Sequence, residues 1–194
     1  RWPIRKSGTQ FQIVKPEGDE SEGYPFQSMC QDDDGIWFGS NRKIYRYTFS
    51  DSSLTLFNEL DEYPAFLINN ITMMDSHTLL CGSHNGLVLV DTETGEVRKA
   101  PFTLFNEITS ILIDSRGWIW ISFYNNGIGV FEKDGRLIRR YSTSDSDLSN
   151  DVVLCMTEHD SSIWAGTDGG GINIISPDSG DIRVLSHVAG DPSS

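Results

Sequence analysis

Short stretches of alternating apolar and polar residues run along the whole chain, and turns rich in Gly, Asp or Asn separate them. Such alternation over about four to eight residues is typical of half-buried β-strands. No stretch longer than about ten residues shows the i, i+3, i+4, i+7 apolar spacing of an amphipathic helix. The pattern therefore predicts an all-β protein.

One short motif recurs four times in the same register. An apolar anchor, usually Trp, is followed two residues later by Gly or Ser, and the anchors are Trp37, Leu80, Trp120 and Trp164. The anchors are spaced 43, 40 and 44 residues apart, which is the period of a four-stranded propeller blade and not of a helical array. We therefore predict a β-propeller with about four four-stranded blades.

Each repeat divides into four strands, which we name a to d in chain order. The anchor lies in strand b, an acidic or Gly turn precedes it, and tight hairpin signals separate strands c and d. The predicted blades are 28–58, 68–102, 108–142 and 152–186, with 1–14 as the end of a preceding blade and 187–194 as the start of a connection to the next. We expect a partial ring of a larger, seven-bladed propeller, and a closed four-bladed ring is the alternative.

The most complete repeat occupies residues 148–156 and 163–172, with the anchor Trp164 and the glycines 169–171. Its pattern resembles the two-component regulator propeller repeat. The resemblance covers nearly the whole chain and is stronger in the third and fourth repeats than in the first two. The departures are Leu80 in place of Trp, Ser122 in place of Gly, and Asn41-Arg42-Lys43 in place of the Gly-rich turn.

The resemblance implies a role in signalling. Repeats of this kind are typical of the periplasmic sensor region of hybrid two-component systems, which are inner-membrane proteins that commonly sense oligosaccharides. The implied partners are an oligosaccharide ligand, the remaining propeller and histidine kinase domains of the same polypeptide, and a second copy in a homodimer. Membrane attachment would come from other parts of that polypeptide. The resemblance implies no cofactor and no enzymatic activity for this segment.

The net charge and the cysteine positions disfavour several binding partners and kinds of site. The chain has 15 Lys and Arg against 28 Asp and Glu, a net charge of −13, which disfavours binding to nucleic acids and to anionic membrane surfaces. No apolar run approaches the roughly 20 residues of a membrane-spanning helix. Cys30, Cys81 and Cys155 show no CxxC spacing, so we predict buried free thiols and neither a zinc site nor a disulfide framework.

The alternating strand directions of a blade predict where a ligand could bind. The b–c turns and d–a connections emerge at one end of each blade, and the a–b and c–d turns at the other. The first end offers aromatic rings and amides, which suit the apolar ring faces and hydroxyl groups of sugars. The candidate ligand-binding residues are Asn85, Tyr124, Asn125, Asn126, Asp168, Tyr63 and Phe105. Phe66, Phe102 and Tyr141 belong to the same predicted aromatic set. The alternative is that the Asn and Gly residues serve the geometry of the turns and that the aromatic rings pack between blades.

The sequence indicates no catalytic residue and no metal site. The four histidines, His77, His84, His159 and His187, occupy different kinds of position in the repeats. The glycines 169–171 open a strand and not a helix, so they do not form a phosphate-binding loop. The acidic turn 32–34 is expected to be solvated, with a bound calcium ion as the sharper possibility.

Two other classes of function remain open. One is a propeller enzyme, such as a quinone-dependent dehydrogenase or a polysaccharide lyase. The other is a protein-interaction scaffold.

Overall fold

A computed structural model describes residues 4–7, 10–13, 16, 25–63, 66–102 and 107–186. The chain forms two compact units, Arg1–Lys99 and Ala100–Ser194, which we call unit 1 and unit 2. Every regular element in the described ranges is a β-strand. None of these residues forms a helix of the length and apolarity needed to cross a membrane.

Unit 1 contains a hairpin and two blades. The hairpin pairs β1 (Ile4–Ser7) with β2 (Gln10–Ile13). Blade 1 consists of β3 (Ser28–Gln31), β4 (Gly35–Gly39), β5 (Lys43–Thr48) and β6 (Leu54–Glu59). Blade 2 consists of β7 (Asn70–Asp75), β8 (Thr78–Ser83), β9 (Gly86–Asp91) and β10 (Val97–Lys99).

Unit 2 contains two further blades. Blade 3 consists of β11 (Ile108–Ile113), β12 (Ile119–Phe123), β13 (Gly127–Phe131) and β14 (Leu137–Tyr141). Blade 4 consists of β15 (Val153–His159), β16 (Ser162–Thr167), β17 (Gly171–Ile175) and β18 (Ile182–Leu185). In all four blades consecutive strands pair antiparallel, which confirms the predicted all-β class with four-stranded blades.

Two of the strand-b tryptophans, Trp37 and Trp120, lie in the hydrophobic core between consecutive blades of a unit. In unit 1, Trp37 of blade 1 belongs to one buried cluster with Leu79 and Cys81 of blade 2. In unit 2, Trp120 is fully buried in a cluster with Ile163 and Ala165 of blade 4. Packing of one blade's aromatic face on the next blade's aliphatic face therefore holds each pair together.

An aspartate connects this core to the a–b turn in blades 1 and 3. The Trp120 indole Nε1 donates to Asp114 at 3.0 Å, and the backbone N–H groups of Arg116 and Trp118 donate to the same carboxylate. The Trp37 indole donates to Asp32 at 2.7 Å. A buried polar ring nitrogen and the free amides of the turn thus share one acceptor.

The aspartate of blade 1 also binds an arginine. Both terminal nitrogens of Arg46 donate to Asp32 at 2.7 Å, and the Arg46 guanidinium lies 4.4 Å from the Trp37 ring centroid. Partial burial acts to raise the pKa of Asp32, but the hydrogen bonds from Arg46 and Trp37 outweigh it, and the pKa lies below its ordinary value.

The expectation that all three cysteines are buried is wrong. Cys155 is exposed and Cys30 is half-buried, so only Cys81 is the buried thiol that was expected. The aromatic residues Phe102 and Tyr141 are each only 2% exposed. Phe102 packs on Phe131, and Tyr141 stacks on Trp120.

Phe66, in the d–a connection of unit 1, is likewise 2% exposed. These three aromatic rings therefore stabilise the core and cannot offer a surface to a sugar. Phe66 and Phe102 thus stand in connections between strands, yet their side chains are part of the apolar interior.

Candidate functional site

The b–c turn of blade 3 presents one aromatic ring and two amides at the predicted end of the blade. Tyr124 is 44% exposed, and its backbone N–H is fixed by the Glu107 carbonyl at 2.9 Å. Asn125 adopts a φ of 56°, a left-handed conformation that Asn tolerates better than most residues. The side-chain amide of Asn126 donates to the Tyr124 carbonyl at 2.8 Å. The turn is therefore preorganised, with Tyr124 and Asn125 facing solvent.

Gly127 ends this turn and ties it to the connection between blades 3 and 4. Its N–H donates to the Asp151 carbonyl at 3.0 Å, and its φ is 70°. A Cβ atom at this position would lie 2.0 Å from the Tyr141 carbonyl oxygen. Only glycine permits this close approach.

The b–c turn of blade 4 is fixed to the same connection. The Asp168 N–H donates to the Val152 carbonyl at 2.9 Å, and the Asn150 side chain donates to the Asp168 carbonyl at 2.8 Å. Asp151 and Val152 are adjacent in sequence and accept from the blade 3 and blade 4 turns respectively. The structure therefore brings the Tyr124 turn and Asp168 together at one end of unit 2.

The connection has its own polar network. The Asp151 carboxylate accepts from the N–H and the hydroxyl of Thr143, both at 2.8 Å. The fully buried Asn173 binds Ser149 through both its amide oxygen and its amide nitrogen. Ser149 and Asp151 were not among the predicted site residues, although they stand in the Leu-Ser-Asn-Asp segment at the start of the recognised repeat.

The glycines that follow Asp168 have a structural role. Gly169 and Gly171 adopt φ values of 75° and 82°. A Cβ atom at Gly170 would lie 2.6 Å from the Ser149 hydroxyl oxygen. The triplet therefore forms a tight turn against the connection, and it leaves the Asp168 carboxylate at the surface.

Two predicted site residues lie in unit 1. Asn85 is exposed in the b–c turn of blade 2, where its N–H donates to the Ser83 hydroxyl at 2.8 Å. Tyr63 is half-buried, packs edge-on against Phe66 with ring centroids 5.7 Å apart, and joins the blade 1 and 2 core. Phe105 lies outside the described residues.

The chemical groups gathered in unit 2 are suited to polyhydroxylated ligands. An exposed phenol ring can cover the apolar face of a sugar, and Asn125 and Asp168 can exchange hydrogen bonds with hydroxyl groups. Within the described part of the chain, no group of three or more His, Cys, Asp or Glu side chains is arranged to hold a metal ion. His77, His84 and His159 lie in different turns or strand ends, and His187 is outside the described residues.

Two segments of the chain match the family model described as two component regulator propeller, residues 21–42 and 104–125. The resemblance to this repeat is confirmed over these segments. The second segment includes Tyr124 and Asn125 of the candidate site. No curated protein shows significant sequence similarity to the chain.

Solved structures confirm the propeller fold. The extracellular domain of a protein assigned as a hybrid two-component system of B. thetaiotaomicron matches 96% of this chain with a TM-score of 0.69 and 17% identity. A second such domain from B. thetaiotaomicron matches 90% of this chain with a TM-score of 0.73 and 18% identity. The matches cover 27% and 23% of those chains, so this chain spans about a quarter of their length.

An enzyme shares the same fold. Virginiamycin B lyase from Staphylococcus aureus matches 88% of this chain and 58% of its own length, with a TM-score of 0.67 and 21% identity. At this identity the likeness shows the blade architecture and carries no argument about catalysis.

Proposed function

We propose that this chain is the ligand-binding part of an extracytoplasmic sensor in a hybrid two-component system. It binds an oligosaccharide and regulates a histidine kinase fused in the same polypeptide. The match to the two component regulator propeller and the likeness to extracellular domains assigned to such systems support this proposal. The periplasmic location and a dimeric state of the sensor are parts of the same proposal.

The observation that carries the ligand proposal is the surface formed by the b–c turns of blades 3 and 4 at one end of unit 2. Tyr124, Asn125 and Asp168 are exposed, and their turns are fixed by backbone hydrogen bonds to the adjacent residues Asp151 and Val152. A surface that is rigid before binding loses less conformational entropy when a flexible sugar is bound. Binding would transmit a signal only if the ligand has different affinities for two arrangements of the sensor.

The direct test is a thermal-shift screen of the chain against a panel of plant and microbial oligosaccharides. A ligand that binds only the folded state raises the melting temperature in a concentration-dependent way. We expect a saturable shift with one class of oligosaccharide, and isothermal titration calorimetry then gives the dissociation constant. A folded chain that shows no shift with any oligosaccharide would contradict the ligand class.

The site is tested with two matched pairs of variants. Tyr124→Ala should weaken binding by about tenfold or more, because a stacked ring contributes about 0.5 to 1.5 kcal/mol beyond its buried area. Phe49→Ala is the control, since Phe49 has nearly the same exposure, 43% against 44% for Tyr124, and lies in a c–d turn. Asp168→Asn is paired in the same way with Asp134→Asn of the c–d turn of blade 3. Equal losses of binding affinity in a variant and its control would contradict a binding site at the b–c end of the blades.

A further inference from the structure

The charged side chains of unit 2 are distributed unevenly between the two ends of its blades. In the described part of this unit, the basic residues of the turns lie at the a–b and c–d end: Arg116, Lys133 and Arg136. The b–c turns and d–a connections at the other end carry acidic residues: Glu107, Asp145, Asp147, Asp151 and Asp168. The end that contains the candidate site therefore has a negative potential.

The basic residues of the outer strands do not neutralise this end. Arg140, near the end of β14, already pairs with Asp145 at 3.3 Å. The Arg139 guanidinium lies beside Gly180 in the c–d turn of blade 4, where it would collide with a Cβ atom on that glycine. Arg183 is the second residue of β18, close to the same turn. Among the described residues, the basic side chain of the b–c end is therefore engaged by an acid.

The carboxylate of Asp168 keeps its charge and its acceptor capacity at the surface. Only the backbone of Asp168 is fixed, through the Val152 carbonyl and the Asn150 side chain. No described residue donates a hydrogen bond to its carboxylate oxygens or forms an ion pair with them. The Asp151 carboxylate, in contrast, is occupied by the N–H and hydroxyl of Thr143. Asp168 can therefore bind a donor on a ligand.

An aromatic ring lies at the same end as this carboxylate. Tyr124 is 44% exposed, and its turn and the Asp168 turn are bound to the carbonyls of Asp151 and Val152. The Cα atoms of consecutive residues are about 3.8 Å apart, so the two turns meet on one short stretch of backbone. The face of an aromatic ring attracts a cation, and a carboxylate forms a charged hydrogen bond with it.

We propose that the b–c end of unit 2 selects oligosaccharides that carry a protonated amine over neutral ones, and disfavours those that carry carboxylate or sulfate groups. The proposal rests on the proposed function and adds the charge class of its ligand. An amine gains the attraction of the Tyr124 ring and an ion pair with Asp168. An anionic sugar meets like charges and finds no unengaged basic side chain among the described residues of this end.

The test uses four tetrasaccharides with one β-1,4-linked backbone. They are cellotetraose, its 2-amino form, its 2-acetamido form and its 6-carboxylate form. Isothermal titration calorimetry at about pH 6, where a sugar amine is protonated, gives the four dissociation constants. We expect the 2-amino form to bind about tenfold more tightly than cellotetraose. The uncharged acetamido form should bind like cellotetraose, and the carboxylate form should bind more weakly than either.

Salt provides a second readout of the same selectivity. Raising the ionic strength from about 0.01 M to about 1 M shortens the Debye length from about 30 Å to about 3 Å. The advantage of the 2-amino form over cellotetraose should therefore fall to about twofold or less. An advantage that does not depend on salt would overturn the role of charge.

Two pairs of variants locate the selectivity. Asp168→Asn should lower the affinity ratio of the 2-amino form to cellotetraose by about threefold. Asp181→Asn is its control, because Asp181 is exposed in the c–d turn of the same blade, and the ratio should stay as in the parent chain. Tyr124→Leu keeps an apolar side chain but removes the ring, so the ratio should fall. Tyr124→Phe keeps the ring face and should keep the ratio.

Each other result overturns a defined part of the argument. Equal binding of the 2-amino form and cellotetraose, or tighter binding of the carboxylate form, would overturn the charge class and leave the proposed function standing. Binding of other sugars from the wider screen, without binding of the 2-amino form, would do the same. A preference for the amine that persists in Asp168→Asn and in Tyr124→Leu would show nonspecific attraction to the net charge of −13. A folded chain that binds none of the four tetrasaccharides and no oligosaccharide of the screen would contradict both proposals.

Discussion

Blades 3 and 4 of unit 2 have the same strands but close their a–b turns differently. In blade 3, Asp114 is buried and accepts hydrogen bonds from the Trp120 indole and from backbone N–H groups of a longer turn. In blade 4, β15 ends at His159 and only Asp160 and Ser161 form the turn, with φ values of 48° and 59°. Two left-handed residues are typical of a type I′ hairpin.

The difference shows what the aspartate does. A longer turn leaves backbone N–H groups without partners in the ladder, and one carboxylate satisfies them while it holds the tryptophan. Blade 1 has the same combination, with Asp32 and a three-residue turn before Gly35. Blade 2, with Leu80 in place of Trp, has a two-residue turn. In the two-residue turn of blade 2, Asp75 accepts the His77 N–H at 3.0 Å. The longer turns of the described blades are therefore accompanied by an aspartate that also binds the strand-b tryptophan.

The largest effect is expected from the two tryptophans. Trp120→Ala should lower the free energy of unfolding by about 3 to 5 kcal/mol, because it leaves a cavity in the core of unit 2. Trp164→Ala, in the equivalent but half-buried position of blade 4, should cost about 1 to 2 kcal/mol, since less apolar area is lost from the interior. Urea denaturation followed by circular dichroism measures both. Equal costs would contradict the assigned difference in packing.

The next largest effect on the free energy of unfolding is expected from substitutions in the a–b turns. Asp114→Ala should cost about 2 to 3 kcal/mol, because it leaves a buried indole N–H and two turn amides without their acceptor. His159→Ala should change the stability by less than about 0.5 kcal/mol, since His159 is exposed. Chemical denaturation of the two variants and the parent chain measures both changes in stability. A large cost at His159 would mean that blade 4 depends on its turn residue as blade 3 does.

The smallest effect is expected in the dependence of the folding stability on acidic pH. The pKa of Asp32 lies below its ordinary value in the folded chain, so the folded state binds fewer protons than the unfolded state near that value. The stabilisation is present at neutral pH, and it is lost as the pH falls below 3.8, the ordinary value, and through the folded pKa.

Asp32→Asn should therefore be less stable than the parent chain at pH 7, and the difference should shrink on acidification to pH 3 or below. Denaturant midpoints across this range measure it. Asp33→Asn removes one exposed carboxylate from the same turn and controls for the change in net charge. A difference between Asp32→Asn and the parent chain that does not depend on pH would contradict the assignment.

The strand content and the number of blades could be predicted from the local sequence pattern. The alternation of apolar residues and the regular spacing of Trp37, Leu80, Trp120 and Trp164 were sufficient, because each blade is formed by consecutive strands with short turns. The turn residues Tyr124, Asn125 and Asp168 were also placed correctly at one end of unit 2, since strand direction alternates along the chain. Their role in ligand binding stays a prediction.

The burial of single side chains was decided by the tertiary structure. Phe66, Phe102 and Tyr141 stand in or beside polar connections, and nothing in the local sequence shows that their side chains are buried. Cys155 has the apolar neighbours of a core residue, yet it lies on a face that no other described element covers. Sequence fixes which face of a strand a residue occupies, by its period of two. Which faces are covered depends on the packing of one blade on another.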